Sequence, residues 1–136
     1  RFCEAKKNNL QSVVCWGTGT PMREFLHVDD LGNAALFALE NWDPSAINAP
    51  VDSFGNHLTF LNVGTGLEIS ISNLAKKIAK QAEFNGEILW DTMKPDGTPK
   101  KRLSIDKIQE LGWSPKIKLD EGIKKTVREF KRINNL

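Results

Sequence analysis

Between residues 13 and 30 an apolar run, Val13-Val14-Cys15-Trp16, breaks on Gly17-Thr18-Gly19-Thr20-Pro21 and resumes as Met22-Arg23-Glu24-Phe25-Leu26-His27-Val28-Asp29-Asp30. No helix runs through two glycines and a proline, so the segment reads as a buried strand, a tight turn and a half-buried strand from Arg23 to Val28. The glycines let backbone approach a ligand closely, Pro21 fixes the exit, and Arg23 presents a planar five-donor fork that matches phosphate oxygens. The turn therefore reads as an anion-binding loop on a rigid support. A second turn, Lys94-Pro95-Asp96-Gly97-Thr98-Pro99-Lys100-Lys101, holds an acceptor carboxylate among cations. Together the two turns suggest a site for a phosphate-bearing, hydroxyl-rich ligand.

Around this segment the pattern predicts a helix over Arg1 to Asn8 and another capped by Asp29 or Asp30, with Leu31, Ala34, Ala35, Leu39 and Trp42 on one face. Pro, Ser, Asn and Gly make Asp43 to His57 a surface loop. Leu58 to Val63 reads as an apolar strand. Ser70 or Ser72 opens a helix carrying Leu74, Ile78 and Ala82, closed by Gly86. A strand over Glu87 to Trp90 follows, then a short helix from Ile105 to Leu111 capped by Ser104 and ended by Gly112. Leu119, Ile123, Val127 and Phe130 mark the last helix. Strands and helices mix without strict alternation, which implies a small α/β domain rather than a complete doubly wound sheet.

Length and charge exclude several classes. The 136 residues suit one domain, and 19 basic residues interspersed with 17 acidic ones give a net charge of +2, far from the footprint of a nucleic-acid binder. Lys124, Lys125, Arg128, Lys131 and Arg132 gather near the C-terminus, where they read as the solvated face of an amphipathic helix. Cys3 and Cys15 fit neither a disulfide framework nor a zinc site, and His27 and His57 have no partner at metal-ligand spacing. No metal site is expected. No apolar run reaches the roughly 18 residues of a membrane span, and a reducing, cytoplasmic setting is the default expectation. The chain opens at Arg1 without a methionine and within a helical stretch, which reads as a piece of a longer protein, and it contains no tyrosine.

Catalytic groups are not apparent. No Gly-x-Ser-x-Gly, His-Glu-x-x-His or spaced Ser/His/Asp set occurs, and adjacent Asp29 and Asp30 point apart, which favours capping over a shared proton. His27 reads as a satisfied core histidine. Trp16 is a core aromatic by default, although a tryptophan opening a glycine turn can also wall a ligand pocket. Gly64-Thr65-Gly66 stands after one expected strand and before a helix, but Ile69 breaks Gly-x-Gly-x-x-Gly, so a structural turn is the better reading.

Trp-Gly-Thr-Gly-Thr-Pro-Met-Arg-Glu-Phe-Leu-His-Val-Asp-Asp, Leu-Asn-Val-Gly-Thr-Gly, Lys-Pro-Asp-Gly-Thr-Pro-Lys-Lys and Leu-Gly-Trp, taken together, closely resemble the GDP-L-fucose synthases. These are epimerase/reductases of the extended short-chain dehydrogenase group. The Arg-Glu-Phe-Leu-His-Val-Asp-Asp segment marks only the wider group of nucleotide-sugar enzymes, and the Lys-Pro-Asp-Gly turn narrows it. The resemblance covers essentially the whole chain and implies a C-terminal substrate-binding domain over residues 1–136. The Rossmann fold with its NADPH loop and the Tyr-x-x-x-Lys proton-transfer pair would lie in a preceding part. No catalytic or cofactor-binding residue is then expected here.

The substrate contacts implied by the resemblance fall on Arg1, Trp16, Arg23 and Asp96, with Lys101 added. Arg1 and Arg23 would neutralise a diphosphate, and Asp96 would accept hydrogen bonds from sugar or base. The partners implied are a GDP-sugar and, for the full-length enzyme, a second copy in a homodimer, with no nucleic acid or membrane. Two other readings stand beside this one. One is the substrate domain of another NAD(P)-dependent nucleotide-sugar epimerase or dehydratase, and the other is a truncated, non-catalytic binding module.

Overall fold

Parallel strand pairing and amphipathic helices organise the computed structural model, which describes all residues from Arg1 to Leu136. The order is α1 (Phe2–Lys7), β1 (Ser12–Trp16), β2 (Met22–Glu24), α2 (Val28–Asn41), β3 (Glu68–Ser70), α3 (Ile71–Ala82), β4 (Glu87–Asp91), β5 (Lys100–Lys101), α4 (Asp106–Glu110) and α5 (Leu119–Ile133). Strands β1 and β4 pair in parallel, with Val13 opposite Ile88 and Cys15 opposite Trp90. A second small sheet has the order β3-β2-β5, and within it β2 and β5 run parallel. This is the small α/β arrangement expected, without a complete doubly wound sheet.

The chain divides into two units. The first comprises Arg1–Arg23, Glu68–Lys101 and Lys118–Leu136. Its core gathers Phe2, Cys3 and Ala5 of α1, Val13 of β1, Ala75, Ala79 and Ala82 of α3, and Phe84. The alanines, spaced four and then three residues apart, give α3 a flat face against which α1 packs. Phe2 and Phe84 meet as tilted rings with centroids 5.7 Å apart. The opposite side of α5 is solvated, and its basic residues are bridged by neighbouring carboxylates, Lys125 to Glu121 and Arg132 to Glu129.

The second unit comprises Glu24–Leu67 and Arg102–Ile117, around Ala34, Ile105, Ile108 and Trp113. Asp30, 4% exposed, accepts the amides of Lys116 and Ile117 at 3.1 and 2.8 Å. The Trp113 indole donates to Asn33 at 3.0 Å. The Asp30 carboxylate and the Trp113 indole are thus satisfied by tying α2 to the segment after α4.

Several local expectations need correction. The strand expected over Arg23 to Val28 ends at Glu24, because its neighbours β3 and β5 are only three and two residues long and offer nothing further to pair with. Helix α2 is capped by His27, whose Nδ1 accepts the Asp29 amide at 3.2 Å, and neither Asp29 nor Asp30 holds the cap. Of its expected apolar face only Ala34 is buried, and Leu39 is 83% exposed. Leu58 to Val63 forms no strand; Leu61 and Val63 are sheltered by packing on the second core. Helix α3 ends on Glu83 in the left-handed region, not on Gly86. Ser104 does not cap α4, since its hydroxyl donates to the Asp106 side chain at 2.7 Å. In β1 only Val13 is fully buried.

Candidate functional site

Strand β1 delivers Trp16 to the mouth of the glycine turn, where the Gly17 amide continues the ladder by donating to the Asp91 carbonyl at 3.0 Å. Gly17 and Gly19 sit at φ of 78° and 74°, in the left-handed region that side-chain-bearing residues avoid. Each glycine also makes room. A Cβ on Gly19 would come within 2.6 Å of the Trp90 ring, and one on Gly17 would run into the Asp96 carboxylate. Helix α3 braces the turn from behind, with the Ser72 and Ile71 amides donating to the Gly19 and Pro21 carbonyls at 2.8 and 3.0 Å. The first-turn amides of α3 are thereby satisfied within the protein.

Asp96 reaches from the second turn into the first. The Thr18 amide donates to Asp96 Oδ1 at 2.9 Å and the Thr18 hydroxyl to Oδ2 at 2.6 Å. The hydroxyl bond first, and the amide bond next, hold the Asp96 carboxyl below its ordinary range; slight desolvation opposes them, and the positive Arg23 nearby adds to the lowering. The glycine turn accordingly does not offer a free amide at Thr18 to an incoming anion.

Arg23 is half-buried on β2. Its Nη1 donates to the Met22 carbonyl at 2.6 Å, and its Nη2 lies where a Cβ on Gly97 would be only 3.0 Å away. Its other donors carry no ion pair. Lys101 is the cross-strand partner of Arg23, and partners in register share a face of the sheet. Lys100, one residue earlier, takes the opposite face and is held by Glu68 at 2.9 Å. Alternation along two residues thus separates a structural lysine from an available one.

Arg1 and Trp16 line a different part of the same unit, a cleft of about 600 Å³ between α1 and β1 that also touches Asn8, Leu10 and Ser12. Arg1 Nη1 donates to the Val14 carbonyl at 3.2 Å. Trp16 is 65% exposed, and Lys94 Nζ stands 5.6 Å from its ring centroid, a cation–π distance. The core-aromatic reading of Trp16 therefore fails, since the packing role belongs to Trp90. Arg23, Asp96 and Lys101 surround the two turns, and the Trp16-Gly17-Thr18 backbone joins them to the cleft of Arg1; no direct side-chain contact links Arg1 to Arg23. Burial pushes the Cys15 thiol up, partly opposed by Arg1, which suits a packing residue rather than a nucleophile.

Two participants escaped the sequence reading. Thr18 is not among the expected contacts, yet it holds both oxygens of Asp96. Glu24 looked like a strand residue, yet its carboxylate accepts the Thr65 amide, the Gly66 amide at 2.6 Å, the Thr65 hydroxyl at 3.2 Å and the Leu103 amide at 3.1 Å. Burial works to raise the Glu24 carboxyl, but these bonds outweigh it and hold it below its ordinary range. The Gly64-Thr65-Gly66 turn is thus already closed on an internal anion, as a structural turn should be. No sequence signal pairs Glu24 with a turn some forty residues away.

The model of the NAD dependent epimerase/dehydratase family matches residues 1–49. The probable GDP-L-fucose synthase 1 of Oryza sativa subsp. japonica is 44% identical over 130 residues, which are 96% of this chain and 36% of the relative. The GDP-L-fucose synthase of Escherichia coli K12 is 42% identical over 130 residues, again 96% of this chain, and 39% of the relative. Among solved structures, the GDP-mannoheptose C4 reductase of Campylobacter jejuni, with NADP bound, superposes with a TM-score of 0.76 at 31% identity, covering 96% of this chain and 42% of that one. The chain spans somewhat over a third of the length of these relatives. No helix is long and apolar enough to cross a membrane. In sequence this chain is similar to the GDP-L-fucose synthases, and in fold to a GDP-sugar reductase, over a segment of somewhat over a third of their length.

Proposed function

We propose that residues 1–136 are the C-terminal, GDP-sugar-binding domain of a longer NADPH-dependent enzyme that epimerises GDP-4-keto-6-deoxy-D-mannose and reduces its 4-keto group to give GDP-L-fucose. The observation that carries this reading is the half-buried Arg23, free of any ion pair, with Lys101 beside it and Asp96 held across the two interlocked turns. Arg23 and Lys101, helped by Arg1, neutralise the diphosphate. A guanidinium fork can span two phosphate oxygens, which a lysine ammonium cannot. The exposed Trp16 face suits a nucleobase, and Asp96 accepts from hydroxyl or N–H donors.

NADPH does not fit the residues present. The one Gly-x-Gly turn that resembles a dinucleotide loop has its Thr65 and Gly66 amides on Glu24, so it cannot cradle a pyrophosphate. The cofactor and the proton-transfer residues are assigned to the part of the enzyme outside this chain. A homodimer of the complete enzyme and a cytoplasmic setting complete the proposal.

The test compares the chain alone with the full-length protein. The full-length protein should oxidise NADPH when GDP-4-keto-6-deoxy-D-mannose is added, and the chain alone should not. Substrate-dependent NADPH oxidation by the chain alone would overturn the domain assignment. Turnover by the full-length protein on a uracil or thymine nucleotide sugar instead would replace the substrate.

A further inference from the structure

The hydroxyl of Thr18 is the hub of a small network. It has one hydrogen, and that hydrogen is committed to Asp96 Oδ2 at 2.6 Å. Its 2.7 Å contact with the Thr20 hydroxyl must therefore run the other way, Thr20 donating and Thr18 accepting, and the Thr20 amide lies 3.2 Å from the same oxygen. Thr18 is oriented from within its own turn before it orients anything else. Its amide takes the other carboxylate oxygen at 2.9 Å, so both Asp96 oxygens are fixed by one residue 78 positions away. Two points of attachment define the plane of the carboxylate, where a single bond would leave it free to rotate.

A carboxylate has about four lone-pair sites, and Thr18 takes two. One acceptor direction remains on each oxygen, in a side chain exposed to solvent. The β-branch of threonine restricts its χ1 rotamer, so the hydroxyl is held where serine would let it swing. Gly17 completes the arrangement, since any side chain there would occupy the position of Asp96 Oδ1.

We propose that Thr18 is a positioning residue for substrate binding, setting the ionised carboxylate of Asp96 with its open acceptor directions toward the donors of the GDP-sugar. This rests on Asp96 being a ligand contact, as proposed above. Thr18 itself need not touch the ligand. Its effect belongs to affinity and not to the chemical step, because a carboxylate that is already oriented gives up less freedom when the ligand arrives.

Steady-state kinetics of the full-length protein with GDP-4-keto-6-deoxy-D-mannose, for Thr18→Val, Thr18→Ser, Asp96→Asn and the Thr18→Val/Asp96→Asn double variant, test this. Thr18→Val should raise KM about tenfold with kcat within about twofold, the size of losing one charge-assisted hydrogen bond. Thr18→Ser should recover most of the affinity. The double variant should be no worse than Asp96→Asn alone, because residues acting through one another are not additive. If Asp96→Asn weakens binding but Thr18→Val does not, or the two effects multiply, Thr18 does not act through Asp96. A KM defect that serine fails to rescue, accompanied by a lower melting temperature, would make Thr18 purely structural and overturn the proposal. If Asp96→Asn leaves KM unchanged, it is the ligand role of Asp96 that falls, and a full-length protein that binds no GDP-sugar removes both.

Discussion

Gly17-Thr18-Gly19 and Gly64-Thr65-Gly66 are the same three residues in two settings. In each, the threonine amide and hydroxyl grip a distant carboxylate, Asp96 in one and Glu24 in the other. Glu24 is half-buried and also accepts from Gly66 and Leu103, so three backbone amides and one hydroxyl converge on it. Asp96 lies in solvent, is held by Thr18 alone, and has the cation of Arg23 close by. One turn is a closed joint, and the other leaves an oriented carboxylate and a free guanidinium at the surface. The Gly-Thr-Gly sequence states only that the backbone can wrap an anion. The anion that arrives, and what remains of it for a ligand, is set by the fold.

The sharpest way to break this contrast is to remove Glu24. Glu24→Ala leaves the Thr65, Gly66 and Leu103 amides without their acceptor, and partial access of water softens the loss to about 2–3 kcal/mol, a drop of very roughly 10 °C in melting temperature. The Glu24 carboxyl is lowered on folding. Its contribution is therefore complete above the ordinary carboxylate range and is lost as pH falls through the lowered folded value, so the stability gap between wild type and Glu24→Ala should close in acid. Urea midpoints at neutral and acid pH measure it. A variant as stable as wild type at neutral pH would mean that the Gly64-Thr65-Gly66 turn is not a joint.

Next in size is Arg23→Ala in the full-length protein. Losing a charge-assisted, forked contact to a diphosphate should cost about 1.5–3 kcal/mol, a rise in KM of roughly tenfold to 150-fold, with little change in kcat because the diphosphate does not react. Arg23→Lys should recover only part of this. A collapse of kcat with KM intact would move Arg23 from the diphosphate to the reacting sugar.

The smallest effect separates two neighbouring lysines. Lys101→Ala should raise KM about twofold to fivefold, in keeping with an exposed, single charge, and should leave stability unchanged. Lys100→Ala should leave KM near the wild-type value, since its ammonium belongs to Glu68 on the other face of the sheet. The opposite ranking, read in the same assay, would show that the strand register does not decide which lysine faces the ligand.

Where side-chain periodicity and local chemistry suffice, the structure was legible residue by residue. Helices α3 and α5, the Ser70 cap, the short helix α1 and the strands at Val13 and Glu87 are where their patterns put them, although α3 buries Ala75, Ala79 and Ala82 and leaves the expected Leu74 and Ile78 half-buried. The turns were legible too, because glycine at positive φ and proline leave few alternatives. The failures among the strands share one cause. A strand exists only if it has a partner: Leu58 to Val63 found none, and its Leu61 and Val63 packed on the second core instead, while Lys100–Lys101, hidden in a turn sequence, became β5 by pairing with β2. The exposed apolar residues of α2 likewise follow the helical period without finding a core.

By itself the sequence determined the residue types from which a site could be made: one arginine after a glycine turn, one aspartate in a Pro-Asp-Gly turn, and a tryptophan at the strand end. These follow from backbone sterics and side-chain chemistry, which act over a few residues. Tertiary structure alone decided that Thr18 and Asp96 meet, that Arg23 keeps its charge unpaired, that Lys101 rather than Lys100 stands beside it, and that the second glycine turn is closed by Glu24. Hydrogen bonds across 41 to 79 residues depend on where the chain is carried by its helices and strands, and no local pattern encodes that distance.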